Sequence, residues 1–118
     1  MRDRLLEVLK KILEYDPVLV EPRIESVLHD QNDVALLQLG LDCPVLVTLL
    51  CDVPVNDVMG QAELAHDRMT KTLPHRMQCL LVLPGLQLEQ PMLPSRRVAV
   101  TNMDSDLVRA TLVRMAKR

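Results

Sequence analysis

The sequence predicts an α+β domain, a two-layer sandwich in the order α-β-β-α-β with a C-terminal β-α extension. Residues 45–51 and 77–83 carry this prediction, because both runs are short, apolar and uninterrupted, as buried strands are. Between them, residues 56–73 repeat apolar side chains at steps of three and four, which is typical of an amphipathic helix. The order strand, helix, strand predicts two neighbouring parallel strands, with residues 45–51 as the central one.

The N-terminal third supplies the first helix and a hairpin. Residues 2–15 place Leu5, Leu9 and Ile12 on one stripe, and Asp16-Pro17 ends this helix. Residues 18–29 are compatible with a short helix or with an edge strand, and the strand is favoured. A turn at residues 31–33 leads into a strand at 34–39, which is expected to pair with the central strand as a hairpin.

The C-terminal half is predicted from caps and prolines. Asn56 is expected to cap the middle helix and Pro74 to end it. Residues 86–95 contain two prolines and no clear period, which predicts an extended surface loop. Residues 97–101 are predicted to form a last strand. Asp104 is expected to cap a closing helix whose inward face consists of Leu107, Val108, Leu112 and Met115.

Composition limits the function. A chain of 118 residues, 48% of them apolar, fits one domain, here divided into a core at about 3–85, the loop at 86–95 and a terminal strand and helix at 96–118. With one Tyr, no Phe and no Trp, aromatic platforms for stacking bases are missing, so nucleic-acid binding is not expected. Residues 95–118 contain six basic and two acidic residues. This basic tail could contact an acidic partner, but a solvated helix end is the favoured interpretation.

Catalytic signatures are missing from the sequence. Three glycines are too few for a dinucleotide fingerprint or a phosphate-binding loop, and no serine has the flanking glycines of a nucleophile elbow. We therefore expect a protein that is not an enzyme.

The three cysteines, an odd number, indicate a reducing cytosol without disulfides, and no apolar stretch approaches the length of a membrane span. Cys43, Cys51, His66 and His75 could in principle meet around one metal. Burial as small hydrophobic residues is the favoured interpretation for the cysteines. His75 could also cap carbonyl groups at the end of the middle helix.

Several of these features together resemble a known family. They are the opening helix closed by Asp16-Pro17, the hairpin, the helix entry at residues 53–59 and the exit at residues 72–76 into the strand that ends at Gly85. The chain resembles the small domain of iron–sulfur cluster assembly factors, which occurs alone in cytosolic iron–sulfur targeting proteins and at the N-terminus of Mrp-type P-loop ATPases.

The resemblance implies an accessory in iron–sulfur cluster assembly or delivery that contacts a protein partner, with a homodimer left open, and ligates a cluster transiently through thiolate. Many members carry Cys-Pro where this chain has Val53-Pro54, so Cys51 is expected to take the place of the reactive thiol, followed by Cys43. The positive end of the following helix would favour the Cys51 thiolate. Cys79, inside an apolar strand, is expected to be inert.

A second hypothesis needs no metal. Size, acidity and element order also resemble the dimeric chaperones of bacterial type III secretion, which bind extended segments of their cargo. Under this alternative the chain is a small acidic interaction protein or adaptor.

Overall fold

The computed structural model describes residues 1–72 and 76–118. The described residues form three helices and one six-stranded sheet. In chain order the elements are α1 (Arg2–Tyr15), β1 (Arg23–Val27), β2 (Asp33–Gln38), β3 (Pro44–Leu49), a 3₁₀ turn (Val55–Asp57), α2 (Val58–Thr72), β4 (Gln78–Val82), β5 (Met92–Ser95), β6 (Val98–Thr101) and α3 (Ser105–Ala116). The α+β class is confirmed, and the order helix, strands, helix, strands, helix broadly fits the prediction.

The centre of the sheet is the predicted strand, helix and strand. Strands follow the order β1-β2-β3-β4-β6-β5, and β3 pairs in parallel with β4, from Val45 opposite Gln78 to Leu49 opposite Val82. β2 pairs antiparallel with β3, as the hairpin prediction required, and β1 joins β2 as the outer strand. β6 continues the parallel set beside β4. The preference for a strand within residues 18–29 is therefore confirmed.

Helices cover both faces of this sheet. Alternate residues of β3 belong to two cores: Val45 and Val47 face α1 and α3, whereas Leu46 faces α2. The sandwich thus has three layers where the sequence analysis expected two. The physical reason is that β3 and β4 are apolar on both faces, so each face requires a covering helix.

The segment at residues 86–95, expected to be a loop throughout, contains strand β5. It pairs antiparallel with β6, with Met92 opposite Val100 and Ser95 opposite Val98. Pro94 is compatible with this strand because β5 lies at the edge of the sheet, where a missing N–H breaks no inner ladder. A strand of four residues that contains a proline has too little periodicity to be predicted from the sequence.

The helix ends follow local chemistry. Asp104 caps α3, accepting hydrogen bonds from the backbone N–H groups of Asp106 and Leu107, as predicted. Asn56 lies within the 3₁₀ turn and α2 begins at Val58, so the residue before the helix is Asp57 and the predicted cap at Asn56 is wrong by one residue. The predictions for Leu73, Pro74 and His75 lie outside the described residues.

Asp16 connects the end of α1 to α3. One carboxylate oxygen accepts a hydrogen bond of 2.8 Å from the backbone N–H of Val18, and the other lies 2.5 Å from Nε of Arg109. That second contact is an ion pair whose N–H is not aligned for a hydrogen bond.

In the described part of the chain, no helix combines the length and apolar character that a membrane crossing needs.

Candidate binding cleft

An open cleft of about 920 Å³ lies at the amino ends of the three parallel strands β3, β4 and β6. The loop before β3 and the carboxyl end of α3 form its other walls. Its volume is within the range of small-ligand sites, about 300–1,000 Å³. The lining residues are Leu39, Gly40, Leu41, Asp42, Cys43, Arg76, Gln78, Leu93, Ser95, Arg96, Arg97, Ala116 and Arg118.

Arginines surround the cleft. Among the described lining residues, four are arginines (Arg76, Arg96, Arg97 and Arg118) and one is a carboxylate (Asp42), so four positive side-chain charges stand against one negative charge. The net formal charge of +3 contrasts with −2 for the whole chain. Arginine binds carboxylates and phosphates through a planar fork of donors, so the arrangement is suited to an anionic ligand.

Hydrogen bonds place two of these arginines against strand ends. Arg97 donates from Nε to the carbonyl of Met77 at 3.2 Å, and Arg118 donates from Nη2 to the carbonyl of Val98 at 3.1 Å. Burial and the nearby charge of Arg114 lower the pKa of Arg118, and Cys43 partly offsets this. An anionic ligand would relieve the same repulsion between neighbouring cations.

Gln78 and Cys43 form the floor of the cleft. Gln78 is only 6% exposed, and its Nε2 donates to the carbonyl of Met115 at 3.0 Å. The thiol of Cys43 lies 3.7 Å from both Gln78 Nε2 and the Met115 carbonyl. Burial raises the pKa of Cys43, as does the charge of Asp42, against smaller opposing effects of Gln78 and Arg118. This thiol is therefore protonated at neutral pH and is a poor nucleophile.

Cys51 and Cys43, predicted as the favoured and the next cluster ligand, do not converge. Cys43 immediately precedes β3 and Cys51 is the second residue after it, so extended chain separates them by roughly 20 Å. Cys43 is half-buried and Cys51 is exposed. Two thiols at opposite ends of one strand are too far apart to bind the same metal ion within one chain.

Of the two histidines considered as further ligands, His66 is described and His75 lies outside the described residues. Among the described residues, no three His, Cys, Asp or Glu side chains lie close enough together to hold a metal ion. His66 contacts the hydroxyl of Ser95 through Nδ1 at 3.1 Å, and that hydroxyl also accepts the backbone N–H of Arg97 at 3.2 Å. This chain of contacts joins α2 to the turn between β5 and β6.

A second polar cluster lies on the face covered by α2. Arg68 donates two hydrogen bonds to Asp33, and the hydroxyl of Thr48 donates a third at 2.9 Å. Cys79 lies 3.8 Å from that hydroxyl, and burial raises its pKa to about 11. The prediction that Cys79 is buried and inert is in accord with this environment. The cluster fixes α2 to the sheet.

The cleft was not predicted because its residues come from distant parts of the chain. The sequence pattern indicates a solvated helix end for the arginines near the C-terminus and an apolar run that includes Gln78. Two signals were present in the sequence: a polar residue at the start of a buried strand, and the adjacent pair Arg96-Arg97. Neither signal shows that both converge with residues 39–43.

Comparisons with protein-family models, with curated proteins and with solved structures gave no significant match.

Proposed function

We propose that this chain is a non-enzymatic interaction protein whose cleft binds an acidic segment of a partner protein. The supporting observation is the cleft itself, where the described lining residues place four arginines and one carboxylate around an open volume of about 920 Å³. The sequence already suggested an interaction protein without a metal role as the second hypothesis. The cleft adds a specific surface to that hypothesis. Arg clusters that bind acidic motifs are a recurrent mode of peptide recognition.

A protein segment fits the cleft better than a nucleic acid does. None of the described lining residues is aromatic, so these residues offer bases no platform on which to stack. The chain as a whole carries −2, which would repel a long polyanion outside the cleft. A short acidic segment needs only the local positive charge.

Binding also fits the chemistry of the cleft better than catalysis does. The raised pKa of Cys43 keeps its thiol protonated, and arginine is not deprotonated at physiological pH. The three cysteines are free thiols, which supports our proposal that the protein works in a reducing cytosol.

Fluorescence anisotropy with a labelled acidic peptide tests this proposal. We expect saturable binding that weakens as salt is added, because the interaction is largely electrostatic. Arg96→Glu, at the exposed turn between β5 and β6, should weaken binding at least tenfold. Arg4→Glu makes the same charge change on α1, away from the cleft, and should retain affinity much closer to that of the wild type. Equal losses in the two variants would contradict a specific site.

A second candidate function is the iron–sulfur role, which one observation still favours. Cys51 is exposed beyond the end of β3, where a thiolate could reach a cluster. One such thiol per chain cannot complete ligation by four thiolates, so a homodimer or a partner would have to supply the others.

Anaerobic reconstitution with iron and sulfide distinguishes this candidate. Cluster absorption that disappears in Cys51→Ala and persists in Cys79→Ala would support it. If the wild-type chain takes up no iron, the iron–sulfur role is rejected and the interaction role remains.

A further inference from the structure

An apolar groove of about 330 Å³ adjoins the cleft. The loop after α1, the loop between β2 and β3 and the last turn of α3 form its walls. Apart from Lys117, its described lining residues are all Val, Leu, Ala or Gly. Leu39, Gly40, Leu41 and Ala116 line both the groove and the cleft, so the two belong to one continuous surface.

Three large apolar side chains of this groove are exposed. They are Val18, Val20 and Leu41, and Leu41 is 92% exposed. A single exposed apolar side chain is ordinary on a protein surface, whereas several along one concavity are typical of an interaction site. Because Leu41 also lines the cleft, a ligand held by the arginines lies beside these side chains.

Charge distinguishes between the possible occupants of the groove. A two-fold contact with a second copy would place the same patch of both chains together, and with it the four arginines of each cleft. Like charges brought together in this way oppose binding. A membrane surface suits apolar side chains that protrude, whereas these side chains line a concavity. An acidic segment with an apolar side chain complements both the cleft and the groove.

We propose that the acidic segment bound by the cleft carries a large apolar side chain, such as Leu, beside its carboxylates, and that this side chain occupies the apolar groove. This inference rests on the proposed function and specifies its ligand. The arginines attract the segment through charge, which salt screens, and the groove adds apolar burial, which salt does not screen. The groove therefore selects among acidic segments of equal charge.

Two peptides of equal charge test this inference on the wild-type chain. Each has a central run of four Glu residues, which is flanked on both sides by Leu in one peptide and by Ser in the other. We expect the Leu peptide to bind about tenfold more tightly, because burial of one Leu side chain is worth at least that factor. The ratio should persist as salt weakens both complexes. Affinities equal within twofold would overturn the inference and leave the proposed function intact. If neither peptide binds, both are wrong.

The double variant Val18→Ser/Val20→Ser supplies the second arm. Both side chains are exposed and line the groove but not the cleft, so the preference for the Leu peptide should disappear while the Ser peptide binds as before. Leu64→Ser removes an exposed apolar side chain on α2, away from the groove, and should retain the preference. Thermal unfolding curves check that the variants are folded. A Leu preference that persists in the folded double variant would overturn the inference.

Two further measurements decide whether another occupant covers the groove. Sedimentation of the wild-type chain alone should show a monomer, and self-association that the double variant abolishes would assign the groove to a second copy. Vesicles containing phosphatidylserine should not compete with the Leu peptide. Competition that the double variant abolishes would assign the groove to a lipid surface. Either result would overturn the inference.

Discussion

Arg68 on α2 binds Asp33, at the start of β2, through two hydrogen bonds of 3.1 and 2.8 Å. Burial alone would raise the pKa of Asp33, but the hydrogen bonds from Arg68 and Thr48 and the charges of Arg68 and Arg2 outweigh it, so the pKa is lowered from 3.8. The guanidinium of Arg2 also holds this region, donating to the backbone carbonyls of Leu28 and Asp33. The cluster therefore links α1, α2 and β2.

Asp33→Asn should destabilise the fold by about 1–3 kcal/mol at neutral pH, because it removes a charged acceptor from a largely buried position. Because the pKa of Asp33 is lower in the folded state than the value of 3.8 in the unfolded state, the charged carboxylate stabilises the fold fully at pH values above 3.8. This stabilisation is lost as the pH falls through the lower pKa of the folded state. Urea unfolding of both proteins from about pH 7 to about pH 3 measures the difference. A difference that does not change with pH would show that the carboxylate charge is unimportant.

The two cores should respond separately to truncation. Leu49 packs with α1 and α3 and Leu81 packs with α2, and both are at least nine-tenths buried. Leu→Ala at either position should cost about 2–5 kcal/mol, measured by denaturant midpoints. Because the side chains lie on opposite faces, the losses should be nearly additive in the double variant. Leu64→Ala, at a position 64% exposed, should change stability by less than about 0.5 kcal/mol.

The three thiols should react at different rates. Cys51 is exposed and should react first with a thiol reagent at neutral pH. Cys43 should react more slowly, because burial raises its pKa and limits access, and a bound acidic peptide should slow it further. Cys79, with a pKa of about 11, should react only when the protein unfolds. Stopped-flow absorbance on single Cys→Ala variants assigns each phase, and a fast phase from Cys79 would contradict its burial.

Periodicity was sufficient to predict the centre of this fold. The change from continuous apolar sequence to three-four spacing and back located β3, α2 and β4, and their parallel pairing followed from the connection. β5 was missed because four residues containing Pro94 have too little pattern to distinguish an edge strand from a loop. The third layer was missed because an apolar strand indicates burial on both faces without saying which helix covers each.

The candidate site was harder to predict than the fold. Cys43 and Cys51 are close in sequence, but a strand between them places them far apart, and their spacing alone does not reveal this. Conversely, Gln78 and Met115 are distant in sequence, but Nε2 of Gln78 lies 3.0 Å from the carbonyl oxygen of Met115. Only the tertiary structure brings the carboxyl end of α3 to the amino end of β4.

An NMR titration of the isotope-labelled chain with an acidic peptide tests the central claim most directly, because it locates binding residue by residue. We predict that the largest amide shifts occur at residues 39–43, 76–78, 93–97 and 115–118, with little change around Asp33 and Arg68. Two results would contradict the claim that this cleft binds acidic segments. One is saturable shifts centred elsewhere on the chain, and the other is no shift at the cleft when the peptide is in large excess over the protein.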